Sequence, residues 1–407
     1  MTSAPPPSAD DRPGDRIEFR ATRFWRLMPI GMRRRWWLFR AVDLLARHWP
    51  LASRRRHGVL VVRMDGIGDM VLFRGSLDHY ADALGVEQDD ITVLGCDSWA
   101  PIAGQVFAGY RVIPINERRY AKRLFYRLKV SIMVRRQAPM IAVCDQYFRR
   151  AMMADSLMWV SGAPRMVMSV PYVSERTRAE YSWYMSQVET IIDTGLYPIH
   201  EVVRHTKFVS TLAGRDIVPA PPRIDWSQRP SPVGPGNPYV VLNPGSSEYG
   251  RRWPLAQYGA LAERLLAAGY RVVFVGAPGE DPDPAVFGPL RERPGMIDLA
   301  ERTSVPELMD VMNGATGVVS NDTGPAHLAI ALGTPTVVIV GGGHFGCFVP
   351  YPEGIAPPTA RFVYQPMDCY HCLWRCHLRE KKTDSFPCVA AVSVKQVLDA
   401  FEEVVGR

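Results

Sequence analysis

The chain has no apolar run of the roughly 18 residues that a membrane-crossing helix needs, so a bilayer-spanning segment is not expected. Thr2 to Ala9 are rich in Pro and Ser and lack the apolar stretch of a secretory signal, so a cytoplasmic location is expected. There is no internal repeat, and no zinc-finger or RRM signature points to nucleic acid. Charged residues are scarce, at 22% against 47% hydrophobic. That ratio permits sizeable buried cores, and 407 residues favour two domains or more. Acid is the scarcer sign, 41 residues against 48 basic, for a net charge of +7. With nucleic-acid modules missing, the excess points to an anionic membrane surface or anionic substrates. Seven cysteines, an odd count, do not imply a complete intrachain disulfide framework.

What is present is a set of polar loops after apolar strands. Residues 315–320 read as a buried strand, followed by Asn321-Asp322-Thr323-Gly324-Pro325-Ala326-His327 and a helical pattern over 326–332. In open α/β sheets, ligands bind outside the carboxyl ends of strands. Helix N-termini there favour phosphate. Asp322 and Thr323 are placed to cap that helix and to hold hydroxyls, and His327 falls in its first turn. A second segment repeats the plan. Strand 239–242 leads into Asn243-Pro244-Gly245-Ser246-Ser247, then Arg251-Arg252-Trp253-Pro254 and a helix over 255–268. Strand 271–275 and the turn Gly276-Ala277-Pro278-Gly279-Glu280 follow. Strands alternating with helices predict a parallel sheet. The amino-terminal half offers Val59 to Arg63 as a strand, then Asp65-Gly66-Ile67-Gly68-Asp69.

In this order, the NPGSS turn with its RRWP sequel, the VGAPGE turn and the SNDTGPAHLAIALGTPTVVIVG segment resemble the glycosyltransferase family that contains the lipopolysaccharide heptosyltransferases, family 9. The similarity runs over roughly 58–405. It implies a GT-B architecture: α/β, two Rossmann-like domains facing a cleft, acceptor on the first and nucleotide-sugar donor on the second. It implies Asp69 as general base, with Gly66 and Gly68 in the acceptor loop. Asp322, Thr323, Gly324 and His327 would bind phosphate, with Ser246, Ser247, Arg251 and Glu280 completing the donor site. Arg251 stands where the family often has Lys; it keeps the charge and binds phosphate bidentately. An inverting sugar transfer is implied, with ADP-heptose the favoured donor, a lipopolysaccharide core or other glycoconjugate the acceptor, and no cofactor required for catalysis. A non-catalytic membrane scaffold and a nucleotide-sugar epimerase or oxidoreductase are the alternatives. The first loop lacks the full G-x-G-x-x-G fingerprint, which argues against the latter.

The expected organisation is a disordered tail over 1–16, a basic amphipathic extension over 17–57 and an acceptor domain over 58–218. A Pro-rich linker over 219–238, a donor domain over 239–392 and a closing helix over 393–407 follow, the helix returning to the first domain. Strands are expected at 59–63, 91–94, 111–115 and 140–143. In the extension, Trp25, Trp36, Trp37, Leu38 and Phe39 interleave with Arg26, Arg33, Arg34, Arg35 and Arg40, which suits a helix on an anionic lipid interface. The alternative is a helix packed on the protein with a solvated basic face, though the aromatic density exceeds what such a face requires. A second basic stretch, 118–136, has the same ambiguity. If both touch lipid, the protein is peripheral on the inner face of the cytoplasmic membrane.

Cys369, Cys372, Cys376 and Cys388 cluster as C-x2-C-x3-C-x11-C, enough thiolates for a tetrahedral structural zinc or iron, or alternatively free or redox-active thiols. Asp281-Pro282-Asp283 resembles an Asp-x-Asp metal motif but reads as loop chemistry.

Overall fold

A computed structural model describes residues 23–27, 29, 31–50, 55–227, 229–278 and 284–406. Glu280, the 281–283 triplet and the tail over 1–16 lie outside them. Two compact units emerge. One holds the described residues up to Gly66 together with Ser76–Val218; the other holds Ile67–Gly75 and the described residues from Pro219 onward.

The first unit is built on six parallel strands in the order β3-β2-β1-β4-β5-β6. They are β1 (Val59–Arg63), β2 (Ile91–Cys96), β3 (Arg111–Ile115), β4 (Ile141–Cys144), β5 (Arg165–Ser169) and β6 (Thr190–Ile192). β1 and β4 are wholly buried and, but for Arg63 at the end of β1, apolar, as strands covered on both faces are. The last two strands escaped the sequence reading because Met-rich β5 and three-residue β6 show no alternation to detect.

The basic extension is part of this unit's core. Helix Arg34–Arg47 buries Trp36, Phe39, Asp43 and Ala46. Trp36 meets Trp183 edge-on, ring centroids 5.1 Å apart. Asp43 accepts two hydrogen bonds from the fully buried Arg127, at 2.8 and 2.6 Å, and one from Ser156 at 2.8 Å. These residues are therefore unavailable to lipid. Trp37, Leu38, Leu45 and Trp49 remain exposed. The second basic stretch forms two helices, Glu117–Lys122 and Leu124–Gln137, with Phe125 91% exposed.

The second unit repeats the plan with the order β12-β11-β10-β7-β8-β9, all parallel. Its strands are β7 (Tyr239–Asn243), β8 (Arg271–Phe274), β9 (Met296–Asp298), β10 (Gly317–Asn321), β11 (Thr336–Ile339) and β12 (Ala360–Val363). Much of the Pro-rich segment is tied to this unit: Ile224 N–H donates to the Ala331 carbonyl, and the Trp226 indole to Asp310. The closing helix, Val394–Val405, also belongs here, against the expectation that it returns to the first domain. Its apolar stripe explains why. Val397 and Phe401 are buried in the core under β10 and β11, and a Cβ on Gly317 would stand 2.7 Å from the Phe401 ring.

Candidate functional site

The strand order of each sheet reverses at one place, where neighbouring strands feed connections to opposite sides and leave a crevice at their carboxyl ends. In the second sheet that place is β10/β7. The loops that leave there are 244–248 and 322–324. Asn321 joins them: its carboxamide oxygen accepts from the Trp253 backbone at 3.0 Å and from Tyr258 Oη at 3.2 Å, and its amide donates to the Pro244 carbonyl at 2.8 Å. Asn243 reaches the other way, to Ser320 Oγ at 2.9 Å and Thr323 Oγ1 at 3.1 Å. Two short polar side chains at matched strand ends thus lock both loops in place.

Ser246, Arg251, Asp322, Thr323, Gly324 and His327 all come from these loops and the segments that continue them. Ser246 is buried, and its Oγ has no hydrogen-bond partner among the described residues. A buried hydroxyl left unpaired costs on the order of 1–3 kcal/mol, so a ligand atom is the natural partner. Ser247, next in the chain, is exposed. Arg251 Nη2 lies 3.1 Å from Asp322 Oδ2 and donates to the Asp322 carbonyl. His327 is buried, with Nδ1 2.9 Å from Tyr351 Oη and Nε2 4.0 Å from Asp322 Oδ1. Burial, reinforced by Arg251 and only partly offset by Asp322, pushes the His327 imidazole down to about 4. It is neutral at physiological pH.

The helix here is Gly324–Ala331, with Thr323 at its N-cap position. The expected side-chain cap is not made; Thr323 Oγ1 instead donates to the Asn321 carbonyl at 3.2 Å. The side chain is drawn back into the loop network, so the cap gives no hydrogen bond to the first-turn amides. Helix Ile67–Leu77 carries Asp69 in its first turn, with Gly66 at its N-cap position. The first part of that helix groups with the second unit. A Cβ on Gly68 would stand 2.8 Å from His327 Cδ2, and one on Gly324 3.2 Å from Ile67 Cβ. Glycine is therefore required at Gly68 for this approach.

The Cys-rich segment supplies residues the sequence reading passed over. Trp374 lies under Arg251, the guanidinium 4.9 Å from a ring centroid, and stacks on Phe386 at 5.4 Å. The same indole would be struck by a Cβ on Gly343, 2.1 Å away. His344, pushed to about 4 by burial and by Arg251, packs edge-on to Trp374. Arg379 pairs with Glu248 at 2.7 Å. A run of three glycines, 341–343, opposite a Trp in a Cys cluster was the only available signal. Cys369, Cys372, Cys376 and Cys388 line one small cavity with Trp374 and Phe386. Burial raises the thiols of Cys369, Cys372 and Cys388 above their ordinary value. Among the described residues, no three His, Cys, Asp or Glu side chains stand together in a metal-ligating group.

In the first sheet the reversal falls at β1/β4. Arg63, ending β1, bonds Asp145 at 2.6 Å and Asp65 at 2.5 Å, and His205 Nδ1 lies 2.8 Å from Asp145. Gln146 donates to Asp65 at 2.7 Å and accepts from the Met64 backbone at 3.1 Å. Burial opposes charge on Asp145, but Arg63 and His205 outweigh it and hold its carboxyl below the usual carboxylate range. This buried lattice anchors the start of the loop that carries Gly66. None of Arg63, Asp145 or His205 was marked by the sequence, because each sits beside a strand or helix whose pattern already accounted for it.

The model of Glycosyltransferase family 9 (heptosyltransferase) matches residues 213–355. Lipooligosaccharide heptosyltransferase 2 of Haemophilus influenzae is 35% identical over 111 residues, 26% of this chain and 31% of that protein. The chain thus aligns with about a third of that relative's length. Lipopolysaccharide heptosyltransferase 1 of Pseudomonas aeruginosa is 26% identical over 309 residues, 70% of this chain and 78% of that protein. The solved structure of E. coli ADP-heptose lps heptosyltransferase II superposes with a TM-score of 0.61 at 16% identity, covering 86% of this chain and 98% of that one. Over residues 213–355 the chain is thus similar in sequence to glycosyltransferase family 9 (heptosyltransferase), and its two Rossmann-like α/β units share the fold of that solved structure.

Proposed function

We propose that this protein is an inverting glycosyltransferase that moves a sugar, heptose from ADP-heptose in the favoured form, onto a lipopolysaccharide core or another glycoconjugate. The observation that carries the reading is the group of polar side chains at the β10/β7 reversal: a buried, unpaired Ser246 Oγ, the half-buried Arg251 and the buried, neutral His327. The donor's diphosphate would take its place against the Gly324 helix start, with Ser246, Ser247, Arg251 and the backbone N–H of Thr323 donating to its oxygens. Asp322 holds Arg251 in position. The Tyr351 phenol donates to His327 Nδ1, which leaves Nε2–H as a donor that costs no buried charge. Glu280 is kept as a contact to the nucleoside.

Asp69 is the base. It takes the proton of the acceptor hydroxyl as that oxygen attacks the anomeric carbon from the face opposite the diphosphate. The anomeric C–O bond breaks, and its electron pair leaves on the phosphate oxygen. Arg251 and the hydroxyls stabilise that charge where it develops. Gly68 lets the helix that carries Asp69 come close to His327, and Gly66 precedes it in the acceptor loop. No cofactor enters this chemistry.

The four cysteines have the donor set of a structural zinc or iron site. Cys369, Cys372, Cys376 and Cys388 would hold the ion after losing their thiol protons, and its role would be to brace Trp374 and Arg379. Metal analysis of the purified protein tests this; less than one equivalent in ten of any transition metal, in protein never exposed to chelator, would leave them as thiols. The exposed Trp37, Leu38, Leu45, Trp49 and Phe125, set among arginines, would hold the protein on an anionic inner-leaflet surface.

The function is tested by nucleotide release from ADP-, UDP- and GDP-sugars, with and without lipid-linked core acceptors and with EDTA present. Acceptor-stimulated release from one donor supports transfer and names the donor. Folded protein that binds and cleaves none of them sinks the reading.

A further inference from the structure

In the first sheet all strands run parallel, so the amino-terminal ends of β1, β4 and β5 lie away from the loops that leave their carboxyl ends. Three arginines meet at that far end. Arg47 closes helix Arg34–Arg47, Arg56 precedes β1, and Arg135 lies in the last turn of helix Leu124–Gln137. All three are half-buried. They converge on the end of helix Ser156–Ser161. Arg47 donates to the Trp159 carbonyl, and Arg135 Nη1 to that of Ser161 at 3.3 Å. A Cβ on Gly162, the next residue, would strike Arg135 Nη1 and stand 3.6 Å from Arg56 Nη2. Arg56 Nη1 donates to the Pro139 carbonyl at 3.3 Å.

A helix C-terminus attracts a cation because it carries about half an elementary negative charge. One arginine answers that charge, and three exceed it. Among the described residues, none of the three has a carboxylate partner. Burial, then Arg135 and Arg56, push Arg47 down to about 10, and burial followed by Arg56 lowers Arg135. Arg135 Nε is buried and has no acceptor among the described residues. Most N–H donors of the three guanidiniums are thus unused by the protein. Like charges held together with donors to spare are stabilised by an oxyanion. A carboxylate presents its oxygens in one plane and suits one fork. A phosphate presents them tetrahedrally and can meet guanidiniums that arrive from three different elements.

We propose that Arg47, Arg56 and Arg135 form a phosphate-binding site at the amino-terminal end of the first sheet, which takes the phosphate of a soluble diphosphate or of an anionic lipid headgroup. It uses none of the residues assigned to the donor or to the base, and it does not rest on the transferase reading.

The test is calorimetric titration of the full chain with pyrophosphate and with citrate, a carboxylate of like charge, at one ionic strength and with ADP present to fill the donor site. Pyrophosphate is expected to bind roughly tenfold more tightly than citrate. Arg56→Gln gives up a single 3.3 Å bond to the protein. That variant, and the pair Arg56→Gln with Arg135→Gln, are each expected to weaken pyrophosphate roughly tenfold and to leave ADP affinity unchanged. Arg56→Lys keeps the charge but not the fork and should fall between. Sedimentation with phosphatidylglycerol and phosphatidylcholine vesicles names the source. Phosphatidylglycerol capture that needs the arginines supports a lipid headgroup; pyrophosphate binding that needs them, with capture unaffected, supports a soluble compound. Citrate bound as tightly as pyrophosphate would overturn the proposal. So would variants that match the parent in both pyrophosphate binding and vesicle capture, whether or not they melt lower, since the arginines would then only cap the helix.

Discussion

The guanidinium of Arg251 rests 4.9 Å from a ring centroid of Trp374, and its Nη2 lies 3.1 Å from Asp322. One face of the cation is therefore held by the Cys-rich segment, while Asp322 fixes its fork. A cation on an indole face is worth about 0.5–2 kcal/mol, and an Arg held before the ligand arrives loses less freedom on binding it. Trp374→Ala is expected to weaken ADP binding by roughly 2- to 30-fold without changing the base-dependent step. Titration calorimetry and single-turnover rates separate the two; unchanged ADP affinity would show that the stacking does not matter.

Asp69→Asn keeps the shape of the side chain and removes the proposed base. Transfer is expected to fall by a factor on the order of 10²–10⁴, with donor affinity within about twofold of the parent. Near-normal turnover in the variant would place the base elsewhere.

His327 gives stability a pH dependence of known sign. Its folded value, about 4, lies below the ordinary value of 6.5, so between those limits the unfolded chain binds the proton and the folded chain does not. Stability from this group is complete above pH 6.5 and is lost as pH falls towards 4, by up to about 3 kcal/mol. His344, also near 4, adds in the same direction. Urea unfolding at pH 7.5 and 5 should show the loss, and His327→Asn should make the slope shallower. An unchanged slope would mean that the imidazole is hydrated.

The extension is held by a buried ion pair. Asp43→Ala leaves Arg127 buried with only the Met152 carbonyl and Ser156 to satisfy it. Breaking one half of a buried pair costs about 3–5 kcal/mol. Urea unfolding of the full chain should show that loss, and limited proteolysis should cut near residues 34–47 first. A cost below about 0.5 kcal/mol would mark the pair as a surface-like contact.

The proposed membrane contact would rest on side chains that the fold leaves outside. Trp37→Ser with Phe125→Ser is expected to abolish most co-sedimentation with phosphatidylglycerol vesicles while leaving the melting temperature within a few degrees. Raising salt should weaken what remains. Sedimentation equal to that of the parent would remove these two residues from any lipid surface.

Strands 59–63 and 111–115 were legible to the residue and the closing helix to within two, since β1 is apolar up to Arg63 and the helix repeats its apolar positions at helical spacing. The NPGSS and NDTGPAH loops were legible because turn residues after strands have few other uses. Thr323 was misread as a cap because capping depends on where Asn321 and Asn243 lie, which is a property of two strands 80 residues apart. The closing helix was assigned to the wrong unit, since a stripe shows that a helix packs but not what it packs on.

By itself the sequence determined the alternation of strands and helices, the positions of the polar loops, the basic excess and the cysteine spacing. All of these are local patterns, set by side-chain period and backbone preference. Only the tertiary structure decided that Trp36, Phe39 and Asp43 face the core rather than lipid, and that Trp374 lies under Arg251. It also decided that Arg47 and Arg135 meet at the end of one helix. Those relations join residues more than 80 positions apart. They arise when sheet order brings strand ends together and burial chooses which side of each helix is covered.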